Sequence, residues 1–187
     1  RAHFPGVLGA ALGNIALTSG YLIVLNAVAL INGRAYRTAS VASVLALACT
    51  WALAGLQWQG HLWNHITAIP SALVSGLTAL EIHTSRRLRG LRSRHVIIAV
   101  TGGHALFYAG RACLLPLLVA QFGSDLLATA ATVTMYEGVL YSVGLPMALL
   151  GLVREEEHDR VLGTSRTDYL TGLSNRRWFF ENGGCLI

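Results

Sequence analysis

Charge is what this sequence lacks most. Only 12% of its 187 residues are charged, while 53% are hydrophobic. An ordinary soluble domain carries about 25% charged residues. A mean hydropathy of +0.53 accompanies the deficit. Together with long apolar runs, it excludes a typical water-soluble globule and puts the chain in the membrane class. Lysine is missing altogether, so all 14 basic residues are arginine and the formal net charge is +5. The arginines stand in short loops between apolar runs and build no single basic face. That distribution orients a membrane protein and leaves no nucleic-acid partner.

Cysteine is also scarce. Cys49 and Cys113 lie inside apolar runs and Cys185 lies in the tail. An odd, scattered set builds no disulfide framework and has no metal-ligand spacing. Small buried hydrophobes are the expected role. The chain opens on Arg1 instead of Met, so a longer parent is expected, with room for further spans ahead of Arg1.

What is present is a series of apolar runs, each long enough to cross about 30 Å of hydrocarbon as a helix. Span one covers about Val7 to Ile31 and span two about Ala39 to Leu56. Span three covers about Leu62 to Ile82, with Pro70 bending it and Glu81 and His83 at its exit. Span four covers about Val96 to Val119, interrupted by Arg111 and Pro116; span five covers about Leu126 to Val153, with Pro146 inside. Gly9-x-x-x-Gly13 permits close helix approach, and Asn14 and Asn26 serve as interhelical glue. Trp58 and Trp63 bracket the turn after span two as an interfacial aromatic belt.

Arginine crowds the loops after spans one, three and five, whereas the loops after spans two and four carry none. Positive loops face the cytoplasm. Segments 32–38 and 83–95 and the C-terminus are therefore expected inside, and 57–61 and 120–125 outside. The expected fold class is an all-α membrane protein of about five transmembrane helices, with a cytoplasmic linker helix and the start of an α/β domain. The expected division is a membrane region over 1–153, a linker helix over 154–166, and the opening of a soluble domain over 167–187.

The linker, Arg154 to Leu162, reads as a helix continuing into water, with Glu156 and Arg160 paired at i, i+4. Gly163-Thr164-Ser165 weakens it. Beyond it, Thr171-Gly172 is a turn signal, with Gly172 free to take positive φ. Ser174 or Asn175 can cap a following helix, and with Ser174 as cap, Leu173 and Trp178 sit at the positions of a hydrophobic staple.

Asp168-Tyr169-Leu170-Thr171-Gly172-Leu173-Ser174-Asn175-Arg176-Arg177 resembles the opening of a GGDEF domain, the diguanylate cyclase family. Such domains begin Asp-x-Leu-Thr-Gly-Leu-x-Asn-Arg, often with a second arginine and an aromatic residue. Asp168, Leu170, Thr171, Gly172, Leu173, Asn175, Arg176 and Arg177 match, and Trp178 and Phe179 follow. The resemblance implies a cyclase that joins two GTP into cyclic di-GMP across a homodimer, with Mg²⁺ stabilising charge at phosphorus. It also implies a multi-pass protein of the bacterial inner membrane, in contact with membrane lipid. The name-giving Gly-Gly-Asp/Glu-Glu-Phe turn is not in the sequence, since Gly183-Gly184 is followed by Cys185-Leu186. This fragment is therefore expected to hold no catalytic residue, no metal and no cofactor of its own, and to be inactive by itself. Asp168, Asn175 and Arg176 are assigned to capping and orienting the domain's entry. A non-catalytic GGDEF receptor for GTP or cyclic di-GMP, and a bundle of transport or structural type, are the alternatives.

Two constellations within the spans attract attention. Arg111 and Glu137 are ionisable groups at membrane depth, read as a pair, as the lining of a polar pocket, or as two independent groups reaching water or lipid headgroups. His61 and His65, four apart, share a helix side where a metal or haem could bind, though interfacial polar residues are the favoured role. His104 in span four is expected to be a packing residue.

Overall fold

The structure is a computed structural model that describes residues 6–62 and 67–166. Five helices make it up: α1 (Gly6–Ile31), α2 (Arg37–His61), α3 (Ala68–Thr84), α4 (Ser93–Phe122) and α5 (Asp125–Arg166). Among the described residues there is no strand. Four helices are long and apolar enough to cross a membrane: α1, the Arg37–Ala54 part of α2, α4 and α5. Their outward faces carry large apolar side chains, among them Leu53 (88% exposed) and Leu106 (75%). Hydrocarbon is the solvent such faces suit. Cys49 and Cys113 are also exposed, not buried as expected, because they fall on these outward faces, where a small apolar thiol suits lipid as well as a core.

The expected third span is shorter than the sequence suggests. Helix α3 has 17 residues, about 26 Å at 1.5 Å per residue. Its polarity is inverted: Ser71, Ser75, Thr78 and Glu81 are buried, while Ile69, Leu73, Leu77 and Leu80 are exposed. The 3.6-residue period puts the polar set on one stripe facing the neighbouring helices. Ser71 and Thr78 satisfy their hydroxyls on carbonyls four residues back. Pro70 occupies the first turn of α3, where its missing N–H costs nothing, so it starts the helix instead of bending a span.

Small residues set the packing. Gly76 faces Ala105 and Gly102 faces Ala79 across α3 and α4, the close approach that membrane helices use. Gly144 meets Val100 and Gly151 meets Ser93 across α4 and α5. Helix α1 packs on α3, and α2 packs on α1. A Cβ on Gly13 would meet nothing, so that end of the Gly9–Gly13 pair takes no part in packing within the chain.

Helix ends follow local chemistry. Gly33 (φ 71°) ends α1: its N–H donates to Leu30 and that of Arg34 to Ala29, a Schellman closure. Gly123 (φ 94°) closes α4 with its N–H on Val119. Trp58 leaves helical geometry (φ −119°, ψ 19°) inside α2, at the point where the sequence places a turn. Helix α5 runs 42 residues with Pro146 inside, so Gly163-Thr164-Ser165 does not end it before Arg166. The linker is continuous with the last apolar helix.

Candidate functional site

The chain gathers its arginine-rich segments at one end of the bundle. Glu81, buried at the end of α3, accepts from the Asn32 amide (2.7 Å), the Arg34 guanidinium (3.0 Å) and the Tyr36 hydroxyl (2.6 Å). Bonding to Glu81 raises the Arg34 guanidinium above its ordinary value and, with burial, does the same for the Tyr36 phenol. Arg94 donates to the His83 carbonyl at the C-terminus of α3, where positive charge meets the negative end of the helix dipole. Glu155, past the end of the apolar stretch of α5, accepts the backbone N–H groups of Ser93 (2.8 Å) and Arg92 (2.7 Å). A carboxylate from α5 thus caps α4. Those two bonds, Ser93 first, hold the Glu155 carboxyl below the usual carboxylate range. Arg87 and Glu156 approach to 3.9 Å beside it.

The half of the bundle remote from these arginines is built differently. Helix α4 supplies His104, Tyr108 and Arg111, and α5 supplies Thr134, Glu137 and Tyr141. Each set has helical spacing that keeps it on one face. Nδ1 of His104 lies 2.7 Å from Oε1 of Glu137, with the imidazole fully buried and the glutamate side chain 20% exposed. Three tyrosines surround the imidazole. Tyr141 stacks on it at 3.7 Å between centroids, Tyr108 tilts against it at 4.7 Å, and Tyr21 of α1 meets it edge-on at 5.2 Å. One hydrogen bond joins the pair, with the donor set by the imidazole tautomer. His104 Nε2 and Glu137 Oε2 are buried with no hydrogen-bond partner among the described residues. Polar groups left so in a core are costly, and at membrane depth they mark function.

Beside this cage lies a cavity of about 780 Å³ between α1 and α5, over the start of α3 and the second half of α4. Tyr21, Tyr108 and Tyr141 form the wall it shares with the cage, and Arg111 lines it too. Nη1 of Arg111 donates to the Thr134 hydroxyl at 2.6 Å.

The two ionisable residues singled out in the sequence, Arg111 and Glu137, therefore stand in one site, each with its own partner. His104 takes the place at Glu137 that the paired reading gave to Arg111, while Arg111 lines the cavity. The register explains why sequence alone could not choose. With Val100 against Gly144 and Ser93 against Gly151, the residue level with Glu137 is Phe107. His104 lies three positions to one side and Arg111 four to the other. The tyrosine cage gave no signal beyond the shared helical spacing of His104 with Tyr108 and of Glu137 with Tyr141.

Asn26 joins α1 to α2, donating to Ser40 (2.7 Å) and accepting from the Tyr36 N–H (3.0 Å). Asn14 donates within its own helix to Ala10 and lines the cavity. The side chains of His61 and His65, and the motif residues Asp168 to Arg177, lie outside the described residues. Among the described residues no group of three His, Cys, Asp or Glu side chains is placed to hold a metal ion. No protein-family model, characterised protein or solved structure matches this chain.

Proposed function

We propose that this chain is the membrane-embedded sensory region of a bacterial inner-membrane diguanylate cyclase, with its C-terminus in the cytoplasm. In this reading the polar core of α4 and α5 receives a signal in the outer half of the membrane. Helix α5 passes the resulting change to a GGDEF-type domain that dimerises and joins two GTP into cyclic di-GMP.

The observation that carries the proposal is continuity. Helix α5 is unbroken from Asp125 to Arg166, so the helix that holds Glu137 also delivers the Asp168–Arg177 stretch. From Glu137 to Arg166 it covers about 44 Å, enough to leave the membrane and enter water. Gathering of the arginine-rich segments at the α5 exit supports the same orientation.

Among the described residues, Glu81 and Glu155 are engaged at helix ends and Glu137 with His104, and no group of three His, Cys, Asp or Glu side chains is placed to hold a metal ion such as the Mg²⁺ of a phosphoryl-transfer site. No chemical step of the cyclase runs through the described helices; their work is to receive and transmit.

The test is the natural full-length polypeptide in membranes, supplied with GTP and Mg²⁺. Cyclic di-GMP with release of pyrophosphate is the expected result. Nucleotide binding without product would move the protein to a non-catalytic GGDEF receptor. Absence of both would leave a bundle of transport or structural type.

A further inference from the structure

We propose that the cavity between α1 and α5 binds a single-chain acyl carboxylate, with its head on Arg111 and its hydrocarbon tail along the apolar wall. Volume, charge and lining carry this assignment. About 780 Å³ falls within the roughly 300–1,000 Å³ of pockets that take small-molecule ligands. It suits one acyl chain.

Charge selects the head. Among the described residues lining the cavity, Arg111 carries the charge. Glu137 sits behind the tyrosine wall, held by His104. A guanidinium at membrane depth is stabilised by an anion, and its planar fork matches a carboxylate in two parallel bonds. Thr134 fixes the fork. Its hydroxyl donates to Ala130, which leaves its oxygen to accept from Arg111. The Tyr108 phenol lines the same end and can donate to the second carboxylate oxygen.

The lining selects the tail. Leu17 and Val24 of α1 face Met135, Val139 and Leu145 of α5 across the cavity. Gly20 and Gly138 also line it, and a Cβ on either would meet nothing within 4 Å. These two positions leave width for a chain between the helices. Because α1 and α5 flank the space at membrane depth, the ligand enters from the lipid. The wall it would touch is the tyrosine face that encloses the His104–Glu137 pair.

A role for this ligand as the input signal rests on the sensor reading above; its binding does not. The experiment is equilibrium binding of tritiated hexadecanoate to the chain in nanodiscs of zwitterionic lipid. Hexadecanol, hexadecyltrimethylammonium and dioleoyl phosphatidate serve as competitors. Saturable binding at one site per chain is expected, with hexadecanol and the ammonium each competing at least about tenfold more weakly than unlabelled hexadecanoate. Arg111→Gln should weaken binding by at least about tenfold and Arg111→Lys by less. Gly138→Leu should abolish it by filling the cavity while leaving helicity by circular dichroism unchanged. Hexadecanol competing as well as the acid would overturn the proposal, as would Gly138→Leu binding like the parent. Full competition by phosphatidate would also overturn it, showing a site for bilayer lipid headgroups. Failure of binding with cyclic di-GMP still produced by the full-length protein sinks this inference alone. Binding without cyclic di-GMP sinks the cyclase reading and leaves the site standing.

Discussion

Glu81 and Glu155, at the arginine-rich end, are fully occupied: one accepts from Asn32, Arg34 and Tyr36, the other from two backbone N–H groups. Glu137, in the remote half, shares one oxygen with His104 and leaves the other buried without a partner among the described residues. The first arrangement is what a joint needs, because each donor ties a different segment to one carboxylate. On the sensor reading proposed above, the second is what a receiver needs, because a bound ligand can satisfy the buried polar atom that the pair leaves without a partner. Helix α5 belongs to both regions, carrying Glu137 at one level and Glu155 about 27 Å further along.

Breaking the His104–Glu137 pair should have the largest effect. Leaving a buried polar group without its hydrogen-bond partner costs up to about 3 kcal/mol, so Glu137→Gln and His104→Leu should each lower the unfolding midpoint of the bundle. The double variant should recover part of the loss, with a coupling above about 0.6 kcal/mol in a double-mutant cycle. Additive losses would mean that the two side chains only happen to be close.

Glu81→Gln comes next, at about 2 kcal/mol, since bonds to a charged acceptor are lost. Arg34→Ala should cost less than Glu81→Gln, because Arg34 is 61% exposed and its pairing is screened. Both are read from thermal unfolding in detergent. A larger loss for Arg34 than for Glu81 would reverse the idea that the carboxylate is the hub of that end.

Gly151→Leu should cost about 1–2 kcal/mol by overpacking, since its Cβ position is already 3.5 Å from the Ser93 hydroxyl. It should also open the cap on α4, seen as faster amide exchange at Arg92 and Ser93. Unchanged exchange would place the cap outside the control of the α4–α5 contact.

The smallest expected effect is that of pH on the same cap. Glu155 is held below its ordinary value by the Ser93 and Arg92 N–H groups. A lowered carboxylate contributes its stability fully above the unfolded value of about 4.3 and loses it as pH falls through the folded value. Protection of Ser93, measured against Glu155→Gln at each pH, should therefore converge with the variant in acid. A difference that persists at low pH would show that charge on Glu155 plays no part.

Much of the architecture was legible, for physical reasons. Apolar runs of more than 18 residues announce helices whatever they pack against, and arginine placement foretold which segments would share an end. The α3 boundary was not legible. Its polar stripe of Ser71, Ser75, Thr78 and Glu81 lowers hydropathy where burial is deepest, and Pro70 reads alike as a kink or a start. The site was half legible: Arg111 and Glu137 stood out as charges in apolar runs, whereas His104 carries no formal charge and three tyrosines in separate places signal nothing until packed. Glu155 was hidden among Glu155-Glu156-Glu157, since which of three adjacent acids caps α4 depends on the rotation of α5.

The central claim is that the remote polar core controls what α5 delivers beyond the arginine-rich end. Its most direct test is the rate of cyclic di-GMP formation by the full-length protein in membranes, parent against Glu137→Gln, at matched protein level and with GTP and Mg²⁺ saturating. The parent should give product, and Glu137→Gln, about 44 Å of helix away from Arg166, should change the rate several-fold. No product, or equal rates in the two proteins, would contradict it.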